Sequence, residues 1–486
     1  MLRKIFLLLG VLLILLVGAL LSNTMRFKSK QITAVDGVRK EFPVDEAAVK
    51  HLSDAIKIST VSFDDTAVVN QAAFDSFFTF LKTEYPEAFH QLEDTIINKK
   101  SLLLKWKGKN ESVMPVIYYA HLDVVPIEEN TKAEWKHEPF SGDVAEGFIW
   151  GRGTLDDKGS LISIFEAMKK LIASGFTPER TIYFAFGSDE EVGGKQGAEV
   201  IAEHLRTQGI KFEFYLDEGG MVSEGIVPNI KRPVAIIGTA EKGYVTLELT
   251  VNLQGGHSSR PPKESALDVL VKAVKKLHDY PEDKRAVEPV EEFLDYVGPE
   301  MEIPLKVVFA NRWLFKSLIL NEYEKSAEGR AMLRTTGVAT VMNAGIKENV
   351  IPAKVSAKVN FRILTDETSK QVIQRTKAVI HDDRVKITAS EVYEPSKNSS
   401  SNTYGFQLIQ KTAAEIFPDA IITPFLMLGS TDSKHFQDIT ENTYRFFPVR
   451  MNQDQLNTIH GINERIGVKD YMETISFYEN MMKNLK

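Results

Sequence analysis

The sequence predicts an α/β protein with a mostly parallel sheet covered by helices, a second α+β domain with an antiparallel sheet, and an N-terminal hydrophobic helix. Three observations predict it. Short apolar runs alternate with helix-period segments through the first half of the chain, as in strand-helix-strand units. From about Gly243 the pattern changes to strict apolar/polar alternation, which belongs to an antiparallel sheet with one wet face. Residues Ile5 to Leu21 carry no charge, so that segment is apolar on every face.

The apolar run IFLLLGVLLILLVGALL follows Arg3 and Lys4 and precedes Arg26, Lys28 and Lys30. It exceeds the usual signal-peptide core of about 7–15 residues and reaches the lower edge of the about 17–25 needed to span a bilayer. No small-x-small cleavage site follows, so residues 1–30 read as an uncleaved signal anchor, with a cleaved signal peptide as the alternative. A short tail of this kind normally stays inside while the large domain is exported. The expected localisation is therefore membrane-anchored with the large domain extracytoplasmic, or secreted. Next come the strand VIYYA (116–120) and a helix from Lys158 to Ser174, with apolar residues at Leu161, Ile164, Phe165, Met168, Leu171 and Ile172 and a stop at Gly175. TIYFAFG (181–187) and FEFYL (212–216) are two further strands. Alternation resumes in TLELTVNLQ, TGVATVMNAG and AKVSAKVNFRIL, with a helix near Ser265 to Leu277.

With 486 residues and 43% hydrophobic content, the chain is long enough for two cores. The net charge of −7, without a long basic run beyond the N-terminus, argues against nucleic acid as a partner. The absence of cysteine excludes disulfides, thiolate metal sites and cysteine nucleophiles. Any metal must sit on His, Asp and Glu.

Those residues gather at strand ends. His121 and Asp123 follow VIYYA, Glu190 and Glu191 follow TIYFAFG, and Asp217 and Glu218 follow FEFYL, while Asp156 and Asp157 precede the 158–174 helix. Sites in open α/β sheets form at the carboxyl ends of strands. Each piece alone has a plainer explanation: SDEE (188–191) suits an acidic helix N-terminus, and a DD pair suits a cap. Capping does not, however, require a His-x-Asp after one strand and carboxylates after the next two.

The segments YYAHLDVVP, GRGTLDDKG, FGSDEEVGG, LDEGG, GGHSSRPP and IHGINERI, in this order from about residue 45 to the C-terminus, resemble the dinuclear-zinc exopeptidases and amidohydrolases that include aminoacylases and carboxypeptidase S. The nearest branch is the carboxypeptidase S-like one, with the N-fatty-acyl-amino-acid synthase/hydrolases. The resemblance implies a zinc-exopeptidase-like catalytic domain in two parts, 40–242 and 396–486, with residues 243–395 inserted as a lid and dimerisation domain. It implies two Zn2+ per chain on His121, Asp156, Glu191, Asp217 and His460, with Asp156 bridging the ions beside a shared water and a cis peptide between Asp156 and Asp157. Glu218 remains an alternative to Asp217. Glu190 would be the general base, and Asp123 would orient His121. In the lid, His257 would stabilise the oxyanion, often across a dimer, while Asn349 and Arg362 would hold the substrate's carbonyl and free carboxylate.

The expected function is hydrolysis of the amide bond before a C-terminal amino acid in a peptide or N-acyl amino acid. A dipeptidase and a membrane-tethered, catalytically inactive binding protein are the alternatives; Glu190 beside a full ligand set separates the enzyme from the latter. VVFANRWLFKSLIL (307–320) could line an acyl-chain pocket, but core or dimer contact is the commoner use of such a run.

Overall fold

The computed structural model describes residues 1–32, 38–65 and 68–486. They divide into two compact units. One comprises Ser29–Thr239, Ser399–Phe425 and Thr431–Lys486; the other comprises Met1–Lys28, Ala240–Asn398 and Leu426–Ser430.

The first unit is built on a ten-stranded sheet whose central strands, Ile182–Gly187, Val116–His121, Tyr215–Asp217 and Thr443–Arg445, lie side by side and parallel. Val116–His121 and Ile182–Gly187 are buried along their whole length, which is why they read as continuous apolar runs. Side chains alternate between the two faces. Ile117, Tyr119, Tyr183 and Ala185 pack with Ala198, Ile201 and Leu205 of the helix Ala198–Thr207. On the opposite face, Phe186 stacks on Phe165 of the helix Lys158–Ala173, and Tyr118 meets Tyr478 of the C-terminal helix Val468–Lys483 edge to face. The FEFYL strand forms later than its composition suggests, over Tyr215–Asp217.

The second unit contains a four-stranded antiparallel sheet in the order Thr336–Ala344, Lys354–Ile363, Gly243–Asn252, Val385–Tyr393. Val245, Leu247, Leu249 and Val251 face Val355, Ala357, Val359 and Phe361 in one apolar layer, covered by the helices Ala266–Asp279 and Ser369–Ile380. Ser265 and Thr368 start these two helices with reciprocal capping boxes. The stretch between them that carries VVFANRWLFKSLIL is helical: Glu288–Val297, Leu305–Ala310, Arg312–Tyr323 and Ala327–Leu333. The N-terminal helix Leu2–Arg26 groups with this unit, and none of its residues is buried.

Candidate metal centre

The site lies in the first unit, at the carboxyl ends of the central strands. His121 ends the strand Val116–His121. Its ring Nδ1 donates to the Asp123 carbonyl at 2.9 Å. That bond fixes the tautomer and leaves the Nε2 lone pair facing the site. Asp123, fully buried, accepts from the backbone N–H of Glu190 through Oδ1 and from Glu191 N–H and Ser62 Oγ through Oδ2. One carboxylate therefore ties the histidine strand to the turn that carries both glutamates.

Asp156 and Asp157 are joined by a cis peptide bond. Asp156 presents its two oxygens to different partners. Oδ1 lies 2.9 Å from His121 Nε2, and Oδ2 lies 3.0 Å from His460 Nε2. Around the first oxygen, His121, Asp156 and Glu218 converge; around the second, Asp156, Glu191 and His460 converge, and in each group the ligand atoms lie within 4.8 Å of one another. Asp157 turns aside, and its Oδ2 accepts from the His121 backbone N–H.

The structure brings Glu218, and not Asp217, into this cluster. Asp217 Oδ2 is occupied by the Tyr215 hydroxyl at 2.9 Å, and its Oδ1 accepts from the Glu218 N–H. Asp189, also in SDEE, has a structural contact instead: its carboxylate accepts from Gln196 and Gly197 N–H just before the helix Ala198–Thr207. Gly194, at φ +73°, is needed because a Cβ there would stand 2.0 Å from Asp432 Oδ1.

Glu464 is a residue of the site that the motif reading passed over. It is completely buried and gathers the Asp156 loop: Oε1 accepts from the N–H groups of Gly153, Leu155 and Asp156, and Oε2 takes the Arg152 guanidinium at 2.6 Å. Arg152 also donates to Gly461 O, next to His460. The available signal was Glu464's place four residues after His460 in IHGINERI.

Electrostatics favour a cation. Burial pushes the Glu190 carboxyl well up, and raises Glu191 and Glu218 to about 7, with the Asp156 charge adding to both. Burial also opposes ionisation of Asp156, but hydrogen bonds from His121 and His460 outweigh it and hold that carboxyl well below its usual range. His460, bonded to Asp156 and Glu191, is pushed up to about 10. Glu191 Oε1 is buried with no hydrogen-bond partner among the described residues. An orphaned carboxylate oxygen beside two imidazoles and further carboxylates is the donor set a divalent metal takes.

The second unit holds the remaining candidates. His257 sits in a short ladder opposite Val350, and the Asn349 carbonyl accepts from Ser258 N–H, so His257 and Asn349 are neighbours. His257 Nδ1 accepts from Ser259 N–H, which places the ring proton on Nε2. Arg362 lies over the Tyr244 ring at 4.8 Å and helps line an open cavity of about 340 Å³ on the polar face of the antiparallel sheet.

The model of the peptidase family M20/M25/M40 matches residues 117–484. The chain belongs to that family. It is 39% identical to a probable carboxypeptidase S-like 2 of Dictyostelium discoideum, over 97% of this chain and 92% of the relative. It is 35% identical to the N-fatty-acyl-amino acid synthase/hydrolase PM20D1 of Mus musculus, over 97% and 94%. Among solved structures, an M20 family metallo-carboxypeptidase from Sulfolobus solfataricus superposes with a TM-score of 0.68 at 19% identity, covering 90% of this chain and 99% of that one; this likeness carries the fold. M20 membership makes the chain a hydrolase of the metallopeptidase/amidohydrolase class, dependent on metal. The mostly parallel sheet expected from the sequence is the M20 fold.

Proposed function

We propose that this M20 enzyme uses two zinc ions to cleave the amide bond before a C-terminal amino acid, and that its preferred substrates are N-acyl amino acids or N-blocked peptides. The observation that carries the reading is Asp156, whose two oxygens each complete a separate His–carboxylate group. A shared anion offsets the repulsion of two close cations. His121, Asp156 and Glu218 would hold one ion, and Asp156, Glu191 and His460 the other. Bound there, the pair would supply Lewis acidity toward the scissile carbonyl and acidify a water to a pKa of about 7.

The residues of the chain do the rest. Glu190, its backbone pinned by Asp123, takes the proton from the attacking water and returns it to the departing amine; its raised pKa suits both transfers. Asp123 keeps the His121 ring in its ligating orientation. We assign His257, Asn349 and Arg362 to substrate. The Nε2 proton of His257 can be donated to an oxyanion, Asn349 would hold the carbonyl, and the Arg362 guanidinium suits a free α-carboxylate because it binds both oxygens at once. The curated relatives' names include both carboxypeptidase S-like proteins and N-fatty-acyl-amino acid hydrolases, which supports an apolar acyl side.

Location and assembly are part of the same reading. The N-terminal helix is long and apolar enough to cross a membrane, and we assign it as an anchor with the catalytic unit outside the cytoplasm. The edge strand Thr336–Ala344 is exposed along nearly all its length, with Val338, Val341 and Met342 on the surface. Such an edge invites pairing, and supports homodimerisation through the lid.

The test compares kcat/KM for Gly-Leu, N-blocked Gly-Leu, its C-terminal amide and an N-long-chain-acyl leucine. The N-blocked and acyl substrates are expected to exceed the free dipeptide, and the amide to fail. A clear preference for the free dipeptide would overturn the acyl reading; efficient cleavage of the amide would remove Arg362 from its role.

A further inference from the structure

The helix Leu2–Arg26 does not simply project from the protein. Its last turns dock on the helical insert of its own unit through one buried residue. Asn311 is fully buried and sits between the helices Leu305–Ala310 and Arg312–Tyr323. Its Nδ2 donates to Leu20 O and Val307 O, and its Oδ1 accepts from Asn23 Nδ2 at 2.9 Å and from Trp313 Nε1 at 3.3 Å. Phe27 continues the contact: a Cβ on Gly298 would meet its ring at 2.8 Å, and the Arg312 guanidinium lies over it. Every donor and acceptor of the Asn311 amide is used, half of them by the N-terminal segment. A paired Asn–Asn contact fixes the register of one helix on another, which a segment destined for removal has no need of.

The same insert exposes large apolar side chains beside this junction: Ile303 at 75% exposure, Trp313 at 63%, Leu318 at 55% and Leu314 at 45%. Leu314 and Leu318, four residues apart on one helix, lie on one face. Trp313 is bonded to the very residue that grips the N-terminal helix. The geometry also sets a depth. From Leu2 to Leu20 the helix rises roughly 27 Å, close to the about 30 Å of bilayer hydrocarbon. Asn311 therefore meets the helix where hydrocarbon gives way to headgroups, the level at which tryptophan accumulates in membrane proteins.

We infer that the insert face formed by Ile303, Trp313, Leu314 and Leu318 rests on the lipid surface of the bilayer that holds the N-terminal helix, so that this unit is seated on the membrane and not merely tethered to it. This rests on the retained-anchor form of the localisation proposed above. Two cations on the helix that carries Trp313, Leu314 and Leu318 are paired, Arg312 with Glu291 and Asp295 and Lys316 with Glu291, so the seating proposed here is apolar and does not require anionic lipid.

The experiment places the full chain in phosphatidylcholine vesicles carrying bromine at shallow or deep acyl positions and reads tryptophan emission. Trp313→Phe is the reference, because the other tryptophans, Trp106, Trp135 and Trp150, belong to the catalytic unit. Intact mass reports whether residues of the N-terminal helix are retained. The expected result is an intact N-terminus and quenching that is stronger with shallow bromine, that Trp313→Phe abolishes and that high salt leaves in place. A retained helix with quenching unchanged in Trp313→Phe would overturn the seating while leaving the anchor. A chain lacking the helix would overturn both. Shielding of Trp313 that persists in detergent and depends on protein concentration would assign the face to a second copy of the chain and overturn the lipid assignment.

Discussion

Asp156 sets the chemistry of the site because each of its oxygens already has a histidine partner. The pKa of His460 near 10 has a direct consequence. At pH 7 the metal-free imidazole holds a proton that a cation must displace, and Glu191 and Glu218, near 7, hold fractional protons as well. A raised folded pKa means that metal competes with protons below that pKa, so affinity rises as pH rises through 7 toward 10. Adding zinc to weakly buffered apoprotein at pH 7 should release at least one proton per chain, and the release should shrink as the starting pH approaches 10. A pH-independent affinity would contradict such competition. His121, Asp156, Glu191 and His460 were legible in the sequence from their motifs. The choice between Asp217 and Glu218 was not. Tyr215 and Asp217 are two apart on a strand and share a face, where they bond to each other, and Glu218 takes the other side. Sequence shows the alternation but not which face looks into the site.

At the scale of elements, the loop from Gly151 to Asp156 is held by a residue more than three hundred positions away. Glu464 binds three of its N–H groups and its arginine, and lies in the same loop as His460, which itself adopts a left-handed backbone at φ +58°. Glu464→Ala should therefore weaken metal binding by about 10–100-fold, the usual effect of losing a group that orients ligands, with Glu464→Gln less damaging because it keeps acceptors for the N–H groups. Competition with a chromophoric chelator reads this without turnover, and unchanged affinity in the alanine variant would remove Glu464 from the site. The central strands were legible as apolar runs because they are buried on both faces, and the strands of the antiparallel sheet by their alternation. Glu464 was not, because a carboxylate among backbone N–H groups has no periodic signature.

Across the whole molecule, the order of motifs along the chain pointed to one α/β unit with a second, antiparallel unit between its parts; the two compact units divide in that way, and the M20 match, residues 117–484, includes strands of both. The attachment of the N-terminal helix was hidden, since the Asn23–Asn311 pair joins residues 288 positions apart and no motif or periodicity links them. The proposed function turns on a paired metal centre bridged by Asp156 and served by Glu190 as base. Metal content by mass spectrometry, measured with turnover on the wild-type chain, Asp156→Ala and Glu190→Gln, tests it most directly. About two zinc ions are expected in the wild type, with loss of both in Asp156→Ala and retention of both in Glu190→Gln with kcat lowered by about 10²–10⁴. Two ions retained by Asp156→Ala, or metal lost from Glu190→Gln in step with activity, would contradict it.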